Sequence, residues 1–166
     1  MNITAYVENP IATLTADSVL TERRLNARLL TLNLTDEEFI NYQSLLPSSF
    51  TLVNPPAGLT VQSVNGISKR QAVIDLQFDG TDFDVNVLNF SVRISKSILI
   101  QSKITDLQSN VMTIFAYVEL PVAVMAADSA LTEYRLDYRS LIINLSDETF
   151  INYASLAVGD FTLNNN

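Results

Sequence analysis

The stretch LTDEEFINYQSLLPSSFTL, residues 34–52, recurs as LSDETFINYASLAVGDFTL, residues 145–163. The offset of 111 residues holds outward from this phrase: residues 1–55 align with residues 112–166 without a gap and agree at 32 of 55 positions. Residues 56–111 have no second version. The chain therefore reads as one complete unit, residues 1–111, followed by the first half of a second, residues 112–166, the pattern of a tandem array.

Composition bounds the chemistry. With 166 residues, 48% hydrophobic and 17% charged, the chain is apolar enough to fold and long enough for about one domain. No apolar run approaches the roughly 20 residues of a membrane span. Met1-Asn-Ile-Thr-Ala-Tyr-Val-Glu8 offers no basic or uninterrupted apolar region, so no signal peptide is expected in the chain. Cys and His are absent, which removes disulfides, thiolate nucleophiles and His-based triads and leaves only oxygen ligands for a metal. A net charge of −8 argues against a nucleic-acid partner. The acidity belongs to the repeated half, six acids against three bases in residues 1–55 and seven against two in residues 112–166.

Hydropathy alternates with period two at Leu30, Leu32 and Leu34, at Ile74, Leu76 and Phe78, and at Phe90, Val92 and Ile94; the second copy keeps it at Leu141, Ile143 and Leu145. These predict half-buried antiparallel strands. Ile3–Val7, Phe50–Val53, Leu59–Val64 and Ile98–Ile100 are further candidates, the last leading into a connection at Ile104–Leu107. Asn54-Pro-Pro-Ala-Gly58, Asn65-Gly66 and Asp79-Gly80 supply turn chemistry between them. Thr35-Asp-Glu-Glu38 has the form of a helix capping box, and a helical turn or two there would put Phe39, Tyr42, Leu45 and Leu46 on one face. Asp17–Leu25 reads as a loop or irregular edge segment.

The order of pieces, LTERRL at Leu20–Leu25, LTLNL at Leu30–Leu34, FTLVNPPAGLTVQSV at Phe50–Val64, AVIDLQFDGTDFD at Ala72–Asp84 and FSVRI at Phe90–Ile94, resembles the tandem Ig-like β-sandwich modules of bacterial secreted, S-layer-associated and adhesin-like surface proteins. That resemblance implies a modular extracellular spacer or adhesive element and brings no catalytic residues. The expected fold is thus all-β, an Ig-like antiparallel β-sandwich, one full repeat unit plus the first half of a second.

One constellation invites a metal. In FDGTDFDVN, Asp79, Asp82 and Asp84 share an oxygen-rich loop in which Gly80 permits a sharp bend, which makes them candidate Ca²⁺ ligands. Asp79-Gly80 is equally a plain turn dipeptide, and the loop lacks EF-hand spacing. Asp17 and Glu22 recur as Asp128 and Glu133; they read as a turn residue and an ion-pair partner of Arg24 or Arg28. Tyr6 and Tyr42 recur as Tyr117 and Tyr153, while Tyr134 and Tyr138 belong to the second copy alone; exposed tyrosines are candidates for stacking on a glycan or a neighbouring module, and equally for routine packing at sheet edges.

The middle segment that should cover these strands exists only once for the two copies. The strands of the second copy expose an apolar face and an open edge unless that copy docks on the first unit, pairs with the same half of another chain, takes the middle segment for itself, or is completed by successive chains in a filament. The expectation is a non-catalytic structural or adhesive repeat module at the cell surface. Its partners are neighbouring copies in a homo-oligomer or filament, alongside a surface glycan or protein, and it is not membrane-embedded. The alternative is a ligand-binding module for Ca²⁺ or glycan.

Overall fold

Leu30, Leu32 and Leu34 lie in a strand whose alternate side chains are buried, as their spacing demands. The computed structural model describes residues 4–164, which divide into two compact units, unit 1 up to Val118 and unit 2 from Glu119. Unit 1 holds strands β1 (Ile11–Ala16), β2 (Leu29–Thr35), β3 (Phe50–Val53), β4 (Leu59–Ser68), β5 (Gln71–Phe78), β6 (Val87–Ile94), β7 (Leu107–Gln108) and β8 (Met112–Ile114). Unit 2 holds β9 (Val122–Ala127) and β10 (Leu141–Ser146).

The strands of unit 1 form two antiparallel sheets, one in the order β1-β2-β5-β4 and one in which β3 pairs one edge of β6 while β7 and β8 share its other edge. Leu14, Leu30, Leu32, Ile74 and Leu76 from the first sheet meet Phe50, Phe90, Val92, Ile94 and Ile114 from the second in one core. Each such side chain contributes about 1.5–3 kcal/mol on burial. Phe39 plugs this core from the β2–β3 loop, edge-on to Phe50 at 6.4 Å between ring centres. The middle segment thus serves the N-terminal half, with β5 pairing β2 from Leu29↔Asp75 to Asn33↔Gln71.

Several local expectations give way to tertiary context. No α-helix occurs among the described residues: the capping-box stretch turns at Asp36, which adopts φ 52°, and continues into short 3-10 turns at Tyr42–Ser44 and Pro47–Ser49. Leu46 is exposed rather than sharing a buried face with Leu45. Thr4–Val7 form no strand, and Ile3 lies outside the described residues. Ile98–Ile100 is no strand either, because Lys96–Ile98 forms a 3-10 turn. Asp17–Leu25 is irregular as expected but ends in a 3-10 turn, Glu22–Ala27.

Asn65-Gly66 is not a turn. It lies within β4 beside a register shift between Gly66 and Ser68, and a Cβ on Gly66 would collide with the backbone carbonyl oxygen of Tyr42. The glycine is there for close approach of two backbone segments. Gly66→Ala is expected to lower unfolding free energy by about 2 kcal/mol, since that backbone must retreat from a packed loop. Urea unfolding followed by circular dichroism checks this.

In unit 2, β9 and β10 pair from Val122↔Ser146 to Ala127↔Leu141, the same register as β1 with β2 shifted by the repeat offset. Burial differs. Leu14 is 2% exposed and its counterpart Met125 61%; Leu30 is 0% exposed and its counterpart Leu141 45%.

Candidate functional site

Two carboxylates, Glu37 and Glu22, fasten the ends of unit 1. Glu37 follows the left-handed Asp36 and is 1% exposed. Its Oε1 accepts from the amides of Glu38 at 2.9 Å, Ile100 at 2.9 Å and Gln101 at 2.8 Å, and its Oε2 from Ser102 at 2.7 Å. Desolvation pushes its carboxyl up, but the hydrogen bonds from Gln101, Ser102 and Glu38 outweigh this and hold it below its ordinary value. Glu37 thereby ties the β2–β3 loop to the β6–β7 loop.

Around it, Tyr6, Glu8, Asp36, Glu38, Arg70 and Gln101 line an open cleft of ≈ 350 Å³. The Tyr6 hydroxyl donates to Asp36 at 2.8 Å, and that carboxylate raises its pKa. Arg70 meets Glu38 at 3.0 Å. The Tyr6–Asp36 and Arg70–Glu38 pairs thus lie within the cleft wall.

At the opposite end, Glu22 does not pair with Arg24 or Arg28. It is buried, and its two oxygens accept from the amides of Phe83, at 3.3 Å, and Tyr117, at 2.8 Å. Arg28 instead reaches Asp17 at 3.4 Å, and Arg139 reaches Asp128 at 3.7 Å in unit 2. Glu22 therefore holds both the β5–β6 loop and the segment after β8. That segment is the start of the second sequence copy, yet it belongs to unit 1: β8 pairs β6, Ile114 is fully buried, and Phe115 exchanges backbone hydrogen bonds with Leu20 and Glu22. Asn110 helps to seat it, with Oδ1 accepting from the Leu14 amide at 2.6 Å and Nδ2 donating to the Leu14 carbonyl at 3.1 Å.

The proposed calcium ligands lie in the loop between β5 and β6, all exposed. Asp79 Oδ1 accepts from the amide and hydroxyl of Thr81, at 2.9 and 2.7 Å, and these bonds hold its carboxyl below the ordinary range. Asp82 and Asp84 bring carboxylate oxygens within 4.8 Å of one another, and Asp79 stands outside that group. Of the tyrosines, Tyr134, Tyr138 and Tyr153 are exposed in unit 2, at 96%, 82% and 79%.

Glu37 and Glu22 are the residues that sequence reasoning underrated. The available signal was their recurrence as Glu148 and Glu133, which lie exposed in unit 2. An open, largely apolar cleft of ≈ 440 Å³ lies beside Met125, Leu141, Ile143 and Phe161 in unit 2.

No family model, no curated protein and no solved structure matches this chain. No helix among the described residues is long and apolar enough to cross a membrane.

Proposed function

We propose that the chain is a non-catalytic structural or adhesive repeat module of an extracellular or cell-surface protein, built as an Ig-like antiparallel β-sandwich and assembled by strand pairing with neighbouring copies. Two features support the sandwich. The strand order β1-β2-β5-β4 against β3-β6-β7/β8 follows the ABED and CFG order of immunoglobulin constant-type domains, and both sheets contribute to one core.

The observation that carries the repeat role is the parallel course of the first and last strands of unit 1, bridged at Ala12↔Ser109 and Thr21↔Phe115. The chain therefore enters unit 1 at one end and leaves at the other, advancing about 20 Å over the six residue steps from Ser109 to Phe115. Modules joined through such ends advance along one direction, which is what a spacer or stalk requires. In the Ca²⁺ alternative Asp79 contributes less than Asp82 and Asp84, because its Oδ1 already accepts from Thr81.

Appending a second copy of residues 56–118 after residue 166 tests this reading. The added strands are expected to close unit 2 into a second module, roughly doubling the calorimetric unfolding enthalpy, since enthalpy scales at about 0.7 kcal/mol per ordered residue. If the enthalpy stays unchanged and the amides of β9 and β10 still exchange freely, unit 2 is not a half-module awaiting its complement.

A further inference from the structure

The phrase that opens each sequence copy occurs here in two states. As MTIFAYVE, beginning at Met112, it supplies β8 and a seated extension: the Phe115 amide donates to the Leu20 carbonyl at 2.9 Å, the Phe115 carbonyl accepts from the Glu22 amide at 3.0 Å, and the Tyr117 amide donates to Glu22 Oε2. As MNITAYVE, beginning at Met1, its described part Thr4–Glu8 forms no strand and lies exposed, Tyr6 at 71% and Val7 at 81%. One copy of the phrase is docked and the other is not.

The surface that receives it is duplicated as well. Leu20-Thr21-Glu22 recurs as Leu131-Thr132-Glu133, all three exposed. The backbone there is already set: Thr21 has φ −129° and ψ 145°, and Thr132 has φ −126° and ψ 145°. A preformed acceptor spares most of the ordering cost of binding. The donor belongs to no strand of its own chain and is accessible, as strand addition requires.

We infer that Thr4–Glu8 of one chain docks on Leu131–Glu133 of a second copy, in the parallel register that Phe115 makes with Thr21. This rests on the reading of the chain as a strand-paired repeat. The Thr4 amide then donates to the Leu131 carbonyl, the Glu133 amide to the Thr4 carbonyl, and the Tyr6 amide to the Glu133 carboxylate. The Tyr6 hydroxyl stays with Asp36, because docking uses only its amide. Donor and acceptor are different surfaces, so the contact is head-to-tail, and chains joined by it form a closed ring or an open filament.

Sedimentation equilibrium of the full chain over a concentration series tests the inference, with Thr4→Pro removing a donor amide and Glu133→Ala removing the acceptor carboxylate. Both sites are exposed, so an unchanged melting temperature verifies that each variant is folded. The wild type is expected to rise to at least twice the monomer mass, and each variant alone to stay monomeric. An equimolar mixture, in which the Thr4→Pro chain keeps an intact acceptor and the Glu133→Ala chain an intact donor, is expected to reach twice the monomer mass and stop there.

A monomeric wild type, or variants that associate as the wild type does, overturns the inference. Association indifferent to Thr4→Pro indicates a symmetric pairing of unit 2 instead. The appended-repeat experiment reports on the repeat reading separately, since unit 2 can close on added strands whether or not chains associate.

Discussion

Replacing Glu37 with alanine is expected to cost unit 1 about 3 kcal/mol of unfolding free energy, read as a lower urea midpoint. The carboxylate is buried and accepts four backbone amides, three of them from Ile100, Gln101 and Ser102 in a loop more than sixty residues away. Hydrogen bonds to a charged group are worth about 1.5–3 kcal/mol, and stranded amides add their own desolvation cost. Glu148→Ala supplies the control. Glu148 makes the same bond to the following amide, at 2.8 Å from Thr149, but is exposed, so its loss is expected to change stability by less than about 0.5 kcal/mol. Equal effects from both variants would show that the amides of residues 100–102 do not depend on Glu37.

Acid should act through the same carboxylate. Its folded-state pKa is lowered relative to the ordinary value of 4.5, so the folded state holds the ionised form more tightly than the unfolded state does. That contribution is fully present above the ordinary value and is lost as pH falls through the lower folded value. Glu37→Gln should therefore show a flatter decline of stability below pH 4.5 than the wild type. A decline as steep as the wild type's would assign the acid sensitivity to other groups.

Ile114→Ala is expected to cost about 3 kcal/mol and to lower the same unfolding transition, although Ile114 lies beyond the first 111 residues of the repeat. The side chain is fully buried against the core that β6 shares with the first sheet, so its removal leaves a cavity inside unit 1. Met125→Ala, at an exposed counterpart of buried Leu14, should be nearly silent, whereas Leu14→Ala should match Ile114→Ala. An Ile114 variant as stable as the wild type would mean that unit 1 is complete without β8.

Much of the architecture was legible from period-two alternation. Leu30, Leu32 and Leu34, Ile74 and Leu76, and Phe90, Val92 and Ile94 are all buried strand residues. Asn54 at φ 51°, Gly58 at φ 79° and Gly80 at φ 85° bear out two of the three expected turns. Asn65-Gly66 misled because turn propensity is local, while the demand on Gly66 comes from Tyr42, in a different loop. Glu22 and Glu37 were illegible for a related reason: their partners Phe83, Tyr117 and Ile100–Ser102 are distant in sequence, and nothing near a glutamate reveals which amides will lack acceptors.

The two copies separate what sequence determines from what tertiary structure decides, because they share 32 of 55 residues in different surroundings. Asp36 and Asp147 both adopt φ 52°, β1–β2 and β9–β10 keep one register, and Asp17–Arg28 recurs as Asp128–Arg139. These features depend on groups within a hairpin, so the local sequence suffices for them. Burial does not follow in this way. Leu30 is sealed while Leu141 is open, Glu37 is a buried clamp while Glu148 is a surface acid, and the opening phrase is a closing strand after Met112 but exposed at Thr4–Glu8. A side chain leaves water only when another segment covers it. Residues 56–118 perform that service once in this chain, for the first copy of the hairpin.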